Sequence, residues 1–251
     1  MSDTKMHRAP GAARAFHQRR GLLLRAASLV PASIIHPAAG ARTNAARPTP
    51  NEDLMQEHGL VTRVILVYGR AIELLNSNQA IDLALIGRAA QIVARVIHGH
   101  HEVEEERIVF PVVEKTAGMQ KLTSTLRGQH NAARGITAII GRNAGAVSVK
   151  EPARRKELIV AMQNFINMYG PHGAHEDTEI YPAFRDALTR DEYAKVAEQF
   201  AADEQRVNKE NGFRENVAGL ARIEGALGAE LSRYTRQMES PVGPASAGTT
   251  K

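Results

Sequence analysis

Two stretches decide the reading: HHEVEEERIVFP at residues 100–111 and PHGAHEDTEIYP at residues 171–182. Aligned on their final prolines, Pro111 and Pro182, they place His101 and His172 ten residues before the proline and Glu105 and Glu176 six before it. Each pair is His-x-x-x-Glu. On a helix this spacing puts both side chains on one face, one turn apart. The alignment also fixes the register. The alternative pairs His100/Glu104 and His175/Glu179 have no counterpart in the other half.

The repeat continues upstream. His58 precedes His101 by 43 residues and His130 precedes His172 by 42. The sequence between is helical in pattern. Thr49-Pro50-Asn51-Glu52 reads as a helix start, with Thr as N-cap, Pro at N1 and Glu at N3. Apolar residues then recur at helical spacing through Leu54, Val61, Val64, Tyr68 and Leu75, as far as the break at Asn76-Ser77-Asn78. Further helices are predicted over about 80–110, 119–140 and 152–181. Another opens at the capping box Thr189-Arg190-Asp191-Glu192, and a last amphipathic one runs to about Met238.

The predicted fold is therefore all-α: an up-down-up-down four-helix bundle with additional C-terminal helices. Each of its two hairpins gives one His from its first helix and a His/Glu pair from its second. A bundle can aim all six at its centre. Four imidazoles and two carboxylates form a mixed N/O ligand set, which suits iron or manganese and accepts zinc. Two metals bridged by the carboxylates would use all six and leave coordination positions open. Pro171 falls inside the fourth helix. It is expected either to start a new segment after Gly170 or to kink the helix toward the metals.

The pattern H…HxxxE…FP, repeated as H…HxxxE…YP, resembles the hemerythrin-like (HHE cation-binding) domain. EDLMQEHG around His58, MYGPHGAHEDTEIYPAFRD and the stretch NGFRENVAGLARIEGALG support the likeness, which covers about residues 51–238. The resemblance implies a bundle holding two iron ions in an oxo- or hydroxo-bridged, non-haem centre that binds O2 or NO. His58, His101, His130 and His172 would be terminal ligands, and Glu105 and Glu176 bridges. Oxygen-carrying members have a fifth histidine four residues from the one matching His130. Here those positions are Leu126 and Arg134. The four-His, two-Glu set looks instead like members linked to nitric-oxide stress and iron–sulfur repair.

Three functions are compatible with this set: stoichiometric binding of O2 or NO for sensing, storage or scavenging; reduction of peroxide or NO, or iron donation to damaged clusters, with a redox partner; and a non-catalytic helical module with structural zinc or no metal. His98 and Tyr169 occupy equivalent places, three residues before His101 and His172, and are candidates to lie beside the centre. His100 and His175 read as solvated or peripheral. Glu102, Glu104, Glu106, Asp177 and Glu179 read as a solvated face.

Other chemistries are excluded by residue type and spacing. No cysteine is present, so disulfides, Fe–S clusters and thiolate zinc sites are absent. No histidine after residue 50 has the Glu-x-x-His spacing of ferritin-like sites, and no H-E-x-x-H occurs. The net charge of +5 suggests nucleic acid until it is divided. Residues 1–50 hold 8 Lys+Arg against 1 Asp; the rest hold 24 against 26 Asp+Glu. The basic character belongs to the tail, and no nucleic-acid partner is expected. In that tail Arg19-Arg20-Gly21-Leu22-Leu23-Leu24, with Ala39-Gly40-Ala41 beyond, resembles a twin-arginine export signal. The alternatives are thus export to the periplasm and a disordered arm on a cytoplasmic protein. Segments are expected at 1–48 (basic tail), 49–238 (helical domain) and 239–251 (disordered C-terminus). No apolar run is long enough to span a membrane.

Overall fold

In the computed structural model, residues 48–145 and 150–234 are described. The tail with its paired arginines and the segment 239–251 lie outside them. Every regular element among the described residues is helical. α1 spans Pro50–Asn76 and starts as expected: Glu52 N–H donates to Thr49 Oγ1 while Thr49 N–H donates to Glu52 Oε2. α2 opens at Leu83–Ile92, capped by Asp82. It continues as a π-helix over Val93–His101, an α-turn over Glu102–Glu104, a second π-segment over Glu105–Val109 and a last α-turn over Phe110–Val113. α3 is Met119–Asn143. α4 covers Pro152–His175, a π-segment at Glu176–Ile180 and a final stretch at Tyr181–Asp186. α5 is Arg190–Asn211 and α6 is Phe213–Leu227.

Two differences from the sequence pattern have local causes. Pro111 and Pro182 do not end their helices. A π-turn precedes each: Phe110 N–H donates to Glu105 O, and Tyr181 N–H to Glu176 O. This wider turn gives room for a ring that would otherwise meet the carbonyl four residues back. Pro171 likewise starts no new segment, and α4 runs unbroken through it. The predicted last helix is broken at Gly228, which adopts a left-handed conformation (φ 64°) and closes α6; helical residues resume at 232–234, and the expected end near Met238 lies outside the described residues.

α1 packs on α4 and α2, and α3 packs on α2 and α4, giving an antiparallel four-helix square. α6 lies against α1 and α2, and α5 against α1. Arg63 on α1 holds Glu224 on α6 through a two-pronged ion pair at 2.8 and 2.6 Å. The core is in two layers. One contains Leu60, Ile97, Ala133 and Tyr169, with Leu220 and Ile223 from α6. The other contains Leu54, Val109, Leu126, Ile180 and Phe184, with Phe200 from α5. In each of the four bundle helices the candidate ligands fall between a residue of one layer and a residue of the other. The polar site is thus closed above and below by hydrocarbon.

Candidate metal centre

The six residues singled out by the repeat come together in that gap. His101, His130 and His172 are at most 3% exposed, and Glu105 and Glu176 are fully buried. His58 lies nearer the surface, its side chain 12% exposed. His58 Nε2 is 3.1 Å from His101 Nε2, and His130 Nε2 is 3.1 Å from His172 Nε2. Each carboxylate reaches both imidazole pairs. Glu105 Oε2 is 3.5 Å from His101 Nε2 and 3.4 Å from His130 Nε2. Glu176 Oε2 is 3.3 Å from His58 Nε2 and 3.1 Å from His172 Nε2, and its Oε1 is 3.8 Å from His130 Nε2.

The outer nitrogens decide what the inner ones can do. His101 Nδ1 bonds Glu57 at 2.9 Å and His172 Nδ1 bonds Gln129 Oε1 at 2.7 Å. His58 Nδ1 bonds Asp177 at 2.8 Å and His130 Nδ1 bonds Glu106 at 2.9 Å. A carboxylate or amide oxygen accepts, so each Nδ1 carries the proton and each neutral ring presents a bare Nε2 to the centre. Two lone pairs 3.1 Å apart repel unless a metal ion or a proton lies between them. Glu105 Oε2 and both oxygens of Glu176 accept no hydrogen bond although fully buried. Four nitrogen lone pairs and unsatisfied carboxylates fit a pair of metal ions.

Proton affinities follow the same geometry. Burial, then the charge of Glu176, pushes Glu105 well above the carboxylate range. Burial opposes ionisation of Glu176 too, but contacts with His130, His172 and His58 hold it well below that range. Burial also opposes a charged His58, yet Asp177 and Glu176 raise it to about 9. Protons and cations therefore compete for the same pocket.

The four Nδ1 partners escaped the sequence reading, but their positions are regular. Glu57 and Gln129 each precede a candidate ligand, His58 and His130, and each supports the histidine of the next helix. Glu106 and Asp177 each follow a candidate bridge, and each supports the first-helix histidine of the other half. Glu106 and Asp177 are therefore not members of a solvated face. Nor are Glu102 (0% exposed) and Glu104 (3%), and His100 is buried as well. Only the exposed His175–Glu179 pair fits that expectation.

His98 and Tyr169, matched in sequence, meet on a single carboxylate: His98 Nδ1 lies 2.9 Å from Glu102 Oε1 and Tyr169 Oη donates to it at 2.8 Å. His98 Nε2 lies 2.9 Å from Thr137 Oγ1. The Tyr169 ring stands edge-on to His172 at 5.6 Å. Arg134 forms ion pairs with both Glu102 and Glu106, at 3.0 and 2.9 Å, and balances their charge. The residues before the two prolines also correspond. Phe110 stacks on His130 and Tyr181 stacks on His58, at 5.7 and 5.4 Å.

A pocket of about 230 Å³ reaches His58 from the surface. Tyr169, Gly170, Gly173, Ala174 and Asp177 line it. The small residues keep it open, since a Cβ on Gly173 would already touch the His58 ring at 3.6 Å.

Comparison with known proteins agrees with this geometry. Residues 49–184 match the Hemerythrin HHE cation binding domain. Uncharacterised proteins of Mycobacterium tuberculosis and Mycobacterium bovis are each 36% identical over 189 residues, covering 74% of this chain and 74% of their own. No solved structure matches the chain. The matched span contains all six residues of the centre, and the chain belongs to the hemerythrin HHE cation-binding family.

Proposed function

We propose that the protein holds two iron ions between its histidine pairs and binds O2 or NO there. The observation that carries this reading is the convergence of four Nε2 atoms, from rings whose Nδ1 atoms are each bonded to an oxygen, on two buried carboxylates that each reach both pairs. His58, His101, His130 and His172 would hold the ions terminally, with Glu105 and Glu176 between them. Imidazole and carboxylate without thiolate favour iron, with manganese or zinc as lesser fits. Bound iron would supply a redox-active ion with open coordination positions.

The chain's own residues do the rest. The pocket at His58 admits a small molecule and excludes a large one. The two apolar layers keep bulk water away. Glu57, Asp177, Glu106 and Gln129 fix the ring orientations and make the imidazoles stronger donors. Turnover with an electron donor is a second reading, favoured by the Tyr181 hydroxyl. It lies 3.2 Å from His58 Nε2 and can hold or move a proton at the edge of the centre.

The test is to load purified protein with iron and record its near-UV and visible absorption before and after O2 or NO. The bands should shift with either gas, in proportion to the iron pair. Steady-state consumption of NO or peroxide with a reductant would favour turnover. An unchanged spectrum would refute gas binding.

A further inference from the structure

We propose that Glu57, His100 and Glu104 form a separate binding site for a single divalent transition-metal ion, next to the six-residue centre and linked to it through Glu57. Glu57 Oε1 and Glu104 Oε1 each stand 3.7 Å from His100 Nε2. That is too long for a hydrogen bond. It is slightly wider than the roughly 3.0–3.4 Å that separates two ligands each about 2.1 Å from one ion. The three donor atoms lie within 4.8 Å of one another. All three residues are at most 7% exposed, so their charges are not solvated away.

Glu104 provides the independent sign of a ligand. It is 3% exposed, its Oε1 accepts no hydrogen bond, and that oxygen points at His100. Leaving a buried acceptor unmet is costly, and a cation removes the cost. The surroundings add negative charge. Asp53 on α1 and Asp203 and Glu204 on α5 act on the cluster, against Arg107 and Arg206. One imidazole and two carboxylates suit Mn2+, Fe2+ or Zn2+.

The two sites share Glu57. Its Oε2 accepts the proton of His101 Nδ1 at 2.9 Å while its Oε1 faces His100. The pair His100/Glu104 has no counterpart in the other half of the repeat, so the site occurs on one side of the bundle only.

The test counts iron. Full-length protein, stripped of metal, is dialysed anaerobically against micromolar Fe2+ beside His100→Ala, Glu104→Gln and the double variant Glu105→Gln/Glu176→Gln. Circular dichroism checks that each is folded, and the near-isosteric Glu104→Gln guards against collapse of the His100 variant. The proposal expects one fewer ion per chain in His100→Ala and in Glu104→Gln than in the parent, and one ion retained by the double variant. Equal iron in the parent and Glu104→Gln, or none in the double variant, would overturn it. The two readings separate: an ion lost with Glu104→Gln but kept by the double variant supports this site even if the six-residue centre takes none.

Discussion

Tyr181 Oη donates to Glu105 Oε1 at 2.8 Å, whereas Phe110, its match in the other half of the repeat, has no hydroxyl to give. This is the clearest departure from two-fold likeness inside the centre. It orients Glu105 and leaves Glu176 without such a partner. Tyr181→Phe should keep its iron, destabilise the metal-free protein by about 1–3 kcal/mol through the buried acceptor it strands, and alter the gas-induced spectrum. Urea unfolding and optical titration check both. An unchanged spectrum would place Tyr181 outside the chemistry.

The outer partners should govern affinity. Asp177 is one-third exposed, so its loss leaves the fold intact, yet it fixes the ring of His58. Asp177→Ala should weaken metal binding by about 10–100-fold, read by competition with a chelator. Glu179→Ala removes only the surface pair with His175 and should change nothing.

The pocket at His58 should set the rate of gas entry. Gly173→Ala adds a carbon at ordinary contact distance from His58, but Gly173→Leu fills the opening. Stopped-flow mixing with NO should show slower association in the Leu variant at unchanged iron content. Equal rates would mean that the gas enters elsewhere.

Stability of the metal-free protein should fall as pH rises. His58 is raised from 6.5 to about 9, so its stabilising effect is complete below pH 6.5 and lost as pH climbs through about 9. Glu104, raised from 4.5 to about 8 chiefly by burial, acts in the same direction, because the cost of ionising it in place grows between those values. Thermal melts in a chelator should show Tm decreasing from pH 6.5 to 9. Metal replaces those protons, so the loaded protein should lose this slope, and metal uptake at pH 7 should release protons. A Tm that rises over that range without metal would contradict the electrostatics.

The sequence carried the frame of the site because ligand spacing is a local property. His-x-x-x-Glu before a proline, twice, is enough to align two halves and to pick His101 over His100 and His172 over His175. The supporting groups were harder to read because their meaning is long-range. Glu57 serves His101 and Asp177 serves His58, 44 and 119 residues apart in sequence. The regularity that would have found them, a polar residue before each first-helix histidine and an acid after each of Glu105 and Glu176, shows only once the repeat is aligned. Glu102 and Glu104 misled by their type. Acids on a helix usually face water, but His98, Tyr169 and Arg134 gather around Glu102, and His100 stands beside Glu104. The π-turns were hidden because a five-residue widening barely disturbs the hydrophobic period, so Pro111 and Pro182 looked like ends.

The most direct measurement is the iron content of His101→Ala/Glu176→Ala against the parent protein, both loaded anaerobically and checked for helicity. Two fewer ions per chain and loss of the near-UV and visible bands are expected. Full retention of iron and of those bands would contradict it.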